Sequence, residues 1–323
     1  MASVDERLRD MPALGREIAE EGWAYLDGAF VPFADAKVSI ATHALQYGTG
    51  VFEGIRAYWN AGEQRLYVFR LREHFERMAR SCRILRIRLP ASVDELCMLA
   101  VELLRRQRFQ ADVYVRPLAF KAARSVMVTL SGLRDGFAMY AFPLGDYLPI
   151  DGLSAKTSSW QRIADHAIPA RGKLTGSYIN TALAVDEAHD QGADEAIFLT
   201  ANGHVSEGGG SNLFIVRDGE LVTPPVTDDI LEGITRATVM TLAHQELGWR
   251  VVERPIDRTE LYVADEVFFC GTGAQVAPCV RIDGRPVGDG RIGEVSRALA
   301  DLYFAIARGD DPRHPEWRTA VHG

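Results

Sequence analysis

The chain carries four lysines, Lys37, Lys121, Lys156 and Lys173, and every other basic residue that is not histidine is arginine. Chemistry that needs a primary amine has only these candidates. Lys173 stands apart by its context. It lies in Ile168-Pro-Ala-Arg-Gly-Lys-Leu-Thr-Gly-Ser-Tyr178, an irregular stretch with glycine on both sides, just before a helical pattern. Glycine lets backbone approach a ligand closely, and an amine held beside Tyr178 could form an imine with an aldehyde. On spacing alone a loop lysine is the simpler reading. Lys37 reads as a solvated charge, Lys121 as a strand end and Lys156 as part of a strand-like run.

A second feature is Val205-Ser-Glu-Gly-Gly-Gly-Ser-Asn-Leu-Phe214, one carboxylate followed by three glycines and an apolar strand. A flexible turn with an exposed Glu207 is one reading. The other points Glu207 at a cationic ring nitrogen, with bare backbone leaving room for a flat heterocycle. Opposite charge then keeps the ring protonated, which makes it an electron sink. Two further segments read as anion cradles. In Ile230-Leu-Glu-Gly-Ile-Thr-Arg236, Gly233 frees a turn and the Ile234 and Thr235 amides open a helix. Helix N-termini bind phosphate through free N–H groups and the helix dipole. In Cys270-Gly-Thr-Gly-Ala-Gln275 the amides and the Thr272 hydroxyl could form a nest. Each cradle alone is a common Gly-Thr turn. Together with the lysine and the carboxylate they describe a site for a phosphorylated aldehyde.

Positioning these groups requires ordered elements on both sides of the chain's midpoint. Residues 23–33 read as a hairpin about Asp27-Gly28. Leu71, Phe75, Met78 and Cys82 recur at helical spacing over 71–85, and 94–108 is a second amphipathic helix. Residues 111–120 and 137–142 read as strands. Two prolines and two glycines crowd 143–152, a linker composition. The expected division is therefore a small domain over 1–143, a linker over 144–152 and a large domain over 153–323. Beyond the linker, helices over 177–191, 235–247 and 293–308 alternate with strands over 196–199, 212–216 and 266–270. The class is α/β (α+β). The tail after Arg308 is polar and contains proline, and reads as loosely held. The N-terminal residues 1–21 read as charged and helix-like rather than as a signal peptide.

Bulk properties narrow the function. A chain of 323 residues suits two moderate domains. The hydrophobic share of 47% and charged share of 25% are those of a globular protein. A net charge of −8 argues against nucleic acid or a membrane surface as partner. Cys82, Cys97, Cys270 and Cys279 show no CxxC spacing, and the eight histidines show no metal-ligand pattern. Buried free thiols, no metal and a cytoplasmic location are the expectation.

Several ordered segments resemble the class IV, fold-type IV pyridoxal-phosphate aminotransferases, and among them the branched-chain amino acid aminotransferases. They are Ala44-Leu-Gln-Tyr-Gly-Thr-Gly-Val-Phe-Glu-Gly-Ile-Arg56, Phe69-Arg-Leu-Arg-Glu-His74 running to Arg77, and Tyr114-Val-Arg-Pro-Leu118. The segments around Lys173, Glu207, Gly233 and Thr272 follow in the family's order, so the resemblance runs from about Tyr25 to Leu302. It implies a small open α/β domain and a larger pseudo-barrel domain.

The resemblance also implies roles. Lys173 would be the Schiff-base lysine of pyridoxal 5′-phosphate and its proton carrier. Tyr178 would bind the cofactor's phenolic oxygen, and Glu207 its ring nitrogen. Arg77, Gly233, Ile234, Thr235 and Thr272 would hold the phosphate. The Thr272 and Gly273 amides, with Tyr114, would receive the substrate α-carboxylate. Phe52, Gly54 and Tyr147 would line the side-chain pocket, and Arg56 or Arg116 could meet a second carboxylate. Tyr47, Val126 and Val128 would come from a neighbouring subunit, which makes a homodimer the smallest working unit. The implied reaction is ping-pong transfer from L-leucine, L-isoleucine or L-valine to 2-oxoglutarate, giving L-glutamate. The 122–128 segment lacks the glycines frequent in this family, and Leu144 stands where an aromatic is frequent, which leaves the side-chain preference open. Other readings are a D-amino acid or (R)-amine transaminase, a lyase of the aminodeoxychorismate type, and a non-catalytic protein that binds a phosphorylated metabolite.

Overall fold

The hairpin at Asp27-Gly28 forms as its composition predicts, because both residues take positive φ, 43° and 103°. It joins β1 (Trp23–Leu26) to β2 (Ala29–Pro32). The structure is a computed structural model that describes residues 18, 21–146, 148–149 and 151–321. The N-terminal helix expectation and Tyr147 therefore lie outside the described residues, except for Ile18 and Glu21. The chain divides into two compact units. The first comprises the described residues of 16–145, 172–178 and 306–323; the second comprises those of 146–171 and 179–305.

In the first unit α1 (His43–Tyr47) leads into β3 (Gly50–Phe52), β4 (Ile55–Asn60) and β5 (Arg65–Phe69). Two helices follow, α2 (Leu71–Ile84) and α3 (Val93–Gln107), then β6 (Val113–Lys121) and β7 (Asp135–Pro143). A last strand, β17 (Arg318–Ala320), completes an eight-stranded sheet ordered β17-β5-β4-β6-β7-β1-β2, with β3 also on β6. Leu71, Phe75, Met78 and Cys82 are buried, as their helical spacing requires. Ser92 and Glu95 form a capping box at the start of α3.

Two segments that a linear division leaves in the second domain pack in the first unit. Leu174 bridges Val51, and the Phe52 amide donates to the Lys173 carbonyl at 3.1 Å, so 172–178 extends the edge at β3. The C-terminal segment corrects the expectation of a loose tail. Its strand β17 pairs with β5 in register, and Trp317 and Val321 are buried. Pairing satisfies the edge of β5, which composition alone does not reveal.

The second unit holds β8 (Leu153–Thr157), α4 (Tyr178–Asp190, whose first residue belongs to the first unit), β9 (Glu195–Leu199), β10 (Val205–Gly208), β11 (Asn212–Arg217) and β12 (Glu220–Thr223). Next come α5 (Ile234–Thr241), β13 (Arg250–Glu253), β14 (Glu266–Gly271), β15 (Gln275–Ile282), β16 (Arg285–Pro286) and α6 (Glu294–Arg308, whose last three residues belong to the first unit). The sheet order is β10-β9-β8-β15-β14-β11-β12-β13, with β16 on β15. Its two outer ends meet: the Val205 amide donates to the Ile256 carbonyl at 2.8 Å, and His204 bridges Asp257. The curled sheet is the expected pseudo-barrel. Its interior collects Leu153, Ile197, Val205, Leu213, Val222, Phe269 and Ala277 from seven strands. The helix expected over 235–247 is shorter. It ends at Thr241 and continues as a π-helical turn over 242–246, closed by Leu247 N–H on the Leu242 carbonyl at 3.1 Å.

Candidate active site

Lys173 Nζ donates to the Tyr178 hydroxyl at 2.6 Å. It also lies 4.9 Å from the Phe52 ring centroid and 5.2 Å from that of Tyr178. The two rings meet edge to face at 4.7 Å. An amine between two aromatic faces is oriented without a carboxylate partner. The other lysines are committed elsewhere or exposed. Lys121 is buried and pairs with Asp135 at 2.8 Å, Lys156 lies 3.6 Å from Asp283, and Lys37 is exposed.

The backbone under Lys173 is held as firmly as its tip. Its amide donates to the Ser81 hydroxyl at 3.1 Å. Thr175 donates its hydroxyl to the Gly48 carbonyl at 2.8 Å. Gly48 has φ of 63°, and a Cβ there would sit 2.6 Å from the Gly176 Cα, so glycine is required. On the same face of α2 as Ser81, His74 and Arg77 grip Glu53. Arg77 donates to both Glu53 oxygens, at 2.8 and 2.7 Å, and His74 Nδ1 lies 2.8 Å from Oε2. Burial pushes the Glu53 carboxyl up, but the Arg77 charge and the hydrogen bonds from Arg77 and His74 outweigh it. The group is held well below the usual carboxylate range. Burial lowers His74 despite its carboxylate neighbour, which keeps the ring neutral.

The strands place the remaining candidates of this unit. Arg56 and Tyr114 are paired across β4 and β6. Gly54 is required by its neighbour: a Cβ there would lie 1.7 Å from the Tyr114 hydroxyl oxygen. The two arginines differ. Arg56 is buried and donates from both terminal nitrogens, to the Leu144 carbonyl at 2.6 Å and the Gly145 carbonyl at 2.7 Å. Arg116 stacks over Phe52 at 4.6 Å and Tyr114 at 5.1 Å, and its buried Nε has no hydrogen-bond partner. Tyr47 donates to the Val126 carbonyl at 3.0 Å, while Val126 and Val128 are 73% and 82% exposed. Val38, Ile40, Leu45 and Met127 are exposed too, and the 37–47 and 122–128 segments meet through the Thr42–Arg124 bridge.

In the second unit Glu207 is buried on β10 and ordered from three sides. Arg162 lies 2.6 Å from Oε1, and Oε2 accepts from the Asn212 amide at 3.0 Å and the Leu231 backbone at 3.1 Å. Gly233 caps α5 with no side-chain cap, leaving the N-terminal amides of Ile234 and Thr235 without one. A Cβ at Gly233 would meet Asn212 Oδ1 at 1.9 Å. Thr272 and Gly273 cross the tip of the β14–β15 hairpin, which closes at the Gly271–Gln275 pair. The cysteines are free, and burial pushes the Cys82, Cys270 and Cys279 thiols up to about 12. They are inert at neutral pH.

Glu53, His74, Ser81, Arg162 and Asn212 are not individually marked as site residues by sequence pattern. Glu53 had a usable signal, a lone charge inside the apolar run Val51–Ile55. His74 stands three before Arg77 and Ser81 four after it, in one turn-to-turn row. Arg162 had none, since its approach to Glu207 depends on the loop that carries it.

An imine-competent lysine on a phenol, an ordered carboxylate and uncapped helix amides are the equipment of a cofactor-dependent amine-transferring enzyme. Residues 50–282 match the family described as amino-transferase class IV, and the chain belongs to that family. Its similarity within the family is to branched-chain enzymes. It is 44% identical over 301 residues to a probable branched-chain-amino-acid aminotransferase of Aquifex aeolicus, covering 93% of this chain and 97% of that one. The crystal structure of a branched-chain aminotransferase from Thermoproteus uzoniensis with norvaline matches at a TM-score of 0.90 and 43% identity, over 93% of this chain and 99% of that one. A T.th. branched-chain amino acid aminotransferase complexed with N-(5′-phosphopyridoxyl)-L-glutamate matches at a TM-score of 0.90 and 40% identity, over 95% and 100%.

Proposed function

We propose that this chain is a branched-chain amino acid aminotransferase that moves the amino group of L-leucine, L-isoleucine or L-valine to 2-oxoglutarate, releasing the branched 2-oxo acid and L-glutamate. The observation that carries this reading is the Lys173–Tyr178 contact at 2.6 Å. The relatives supply the substrate class by their names and by the phosphopyridoxyl-glutamate that one of them binds.

Pyridoxal 5′-phosphate is the cofactor, and the residues present fit it. An amine is available at Lys173, a buried carboxylate at Glu207 and an uncapped helix start at Ile234 and Thr235. Bound, the cofactor supplies an electron sink for the charge left when the α-proton departs. Lys173 Nζ carries the cofactor, then takes that proton and returns it. Tyr178 orients Nζ and meets the phenolic oxygen. Glu207, steadied by Arg162 and Asn212, pairs with the ring nitrogen. Arg77, the turn at Gly233, the Ile234 and Thr235 amides and the Thr272 hydroxyl hold the phosphate. The Thr272 and Gly273 amides and Tyr114 receive the α-carboxylate.

Phe52, Gly54 and Tyr147 line the side-chain pocket. Of the two arginines, Arg116 is the one we assign to the second carboxylate of glutamate, because its Nε is buried without a partner while Arg56 is spent on two carbonyls. Tyr47, Val126 and Val128 serve a neighbouring subunit in a homodimer. Their exposed apolar neighbours support this, since such patches mark association surfaces. The enzyme works in the cytoplasm, where free thiols persist. Among the described residues no helix is long and apolar enough to cross a membrane.

The test is direct. Borohydride reduction of the yellow enzyme fixes the cofactor on Lys173, and Lys173→Ala lowers turnover by ~10⁴-fold. The amino group of L-leucine passes to 2-oxoglutarate with parallel-line kinetics. Turnover of D-alanine or (R)-1-phenylethylamine without L-leucine would overturn the substrate assignment, and a colourless protein with no reducible adduct would overturn the activity.

A further inference from the structure

Glu195 opens β9, and its carboxyl is buried. Among the described residues no cation pairs with it; all its partners are neutral. Oε1 accepts from the Ala196 amide at 2.9 Å and the Gly209 amide at 3.1 Å, and Oε2 accepts from the Ser211 hydroxyl at 3.3 Å. Thr181 on α4 donates to the Gly209 carbonyl at 2.9 Å. Both polar backbone groups of Gly209 are thus held by side chains. The fit leaves no space: a Cβ at Gly209 would lie 2.5 Å from Val185 Cγ2 and 2.7 Å from Glu195 Oε1.

Gly209 sits in a turn closed by the Gly208 amide on the Ser211 carbonyl at 2.7 Å. The residues flanking that turn are Glu207 and Asn212, joined to each other at 3.0 Å. Three successive glycines have the widest backbone freedom of any such stretch. Something other than local preference must fix how Asn212 faces Glu207. An aliphatic side chain at 195 would pack beside Val185 without the desolvation that a buried carboxyl suffers. Burial raises the Glu195 carboxyl from its ordinary 4.5 to about 7, against the hydrogen bonds from Ala196, Gly209 and Ser211. The fold carries this cost at the one place where it orders the glycine turn.

We propose that Glu195 is a positioning residue for amine transfer: through Gly209 and Ser211 it sets the turn that holds Asn212 against Glu207 and so aims the ring-nitrogen carboxylate. The proposal rests on the role given to Glu207 above.

The experiment compares holoenzymes carrying Glu195→Gln, Glu195→Ala, Thr181→Val and Glu207→Gln. The readouts are kcat, KM, the visible cofactor band and the melting temperature. Glu195→Gln keeps an oxygen for the Gly209 amide, so its kcat stays within about 3-fold and its band is unmoved. Glu195→Ala drops kcat by about 10–100-fold with little change in KM, and shifts the band, because a misplacement near 1 Å costs this much. Thr181→Val loosens the same turn from its carbonyl side and shifts kcat and band the same way by less, which keeps the test open if Glu195→Ala fails to fold. Wild-type kcat and band in Glu195→Ala, or in a failed-fold case in Thr181→Val, would overturn the proposal. So would losses in Glu195→Gln equal to those in Glu195→Ala. An unchanged band and kcat in Glu207→Gln would instead overturn the reading of Glu207 itself.

Discussion

Glu53 in the first unit and Glu195 in the second are both buried carboxyl groups, and the two are solved in opposite ways. Glu53 in the first unit is compensated by charge: Arg77 grips both oxygens and His74 adds a third contact. Glu195 in the second unit is compensated by dipoles alone, two amides and a hydroxyl. The carboxyl shifts follow: far below the usual range for Glu53, and up to about 7 for Glu195. Burial is similar in both, so the partner's charge decides the sign. A carboxylate that must fix a cation is kept ionised. One that must fix a glycine turn can be close to neutral.

The largest effect should come from breaking the ionic member. Glu53→Ala leaves Arg77 buried without its counter-charge and should cost about 3–5 kcal/mol in urea melts at pH 7. A loss below about 1 kcal/mol would show that Arg77 is held by other contacts and that the contrast is false.

The next effect is a difference of slope with pH. The folded state binds the Glu195 proton more tightly than the unfolded chain does, between 4.5 and about 7. Stability from this group is complete below 4.5 and is lost as pH rises through 7, on the order of 3 kcal/mol in all. Glu195→Gln removes that slope. Its advantage over wild type should be near zero at pH 4.5 and approach that size above pH 7. Glu53 runs the other way. Its contribution is complete above the ordinary carboxylate value and erodes as pH falls below it. Parallel pH profiles for Glu53→Gln and Glu195→Gln would end the comparison.

The smallest effect tests the neutral contact that shares α2 with the ion pair. Ser81→Ala leaves the Lys173 amide without its acceptor and should cost about 1–2 kcal/mol, independent of pH from 5 to 8. A pH-dependent loss would tie Ser81 to the Glu53 cluster.

Much of the fold was legible where one residue type has one job. Asp27-Gly28 marked a hairpin because positive φ is rare outside such residues. The 71–85 and 94–108 helices were legible from a one-sided apolar stripe, and they end within a residue or so of those limits. Strands β3 and β4 were not, because nearly every residue over 50–60 is buried and no alternation survives. The tail was misjudged because β17 is a strand only by virtue of the edge it joins.

The sequence by itself narrowed the amines to four and singled out the company of one amine and one carboxylate, Lys173 beside glycines and Tyr178, and Glu207 before three glycines. It offered the helix start at Gly233 and the turn at Thr272 as candidate anion cradles and, by resemblance, indicated the family. Only the tertiary structure separated Arg56 from Arg116, joined Ser81 to the Lys173 backbone and brought Arg162 to Glu207. It alone revealed that Glu53 and Glu195, two buried glutamates, have opposite electrostatic fates. Local spacing records what a residue can donate or accept. The charge that finally faces it comes from segments tens of residues away, and that charge is decided by packing.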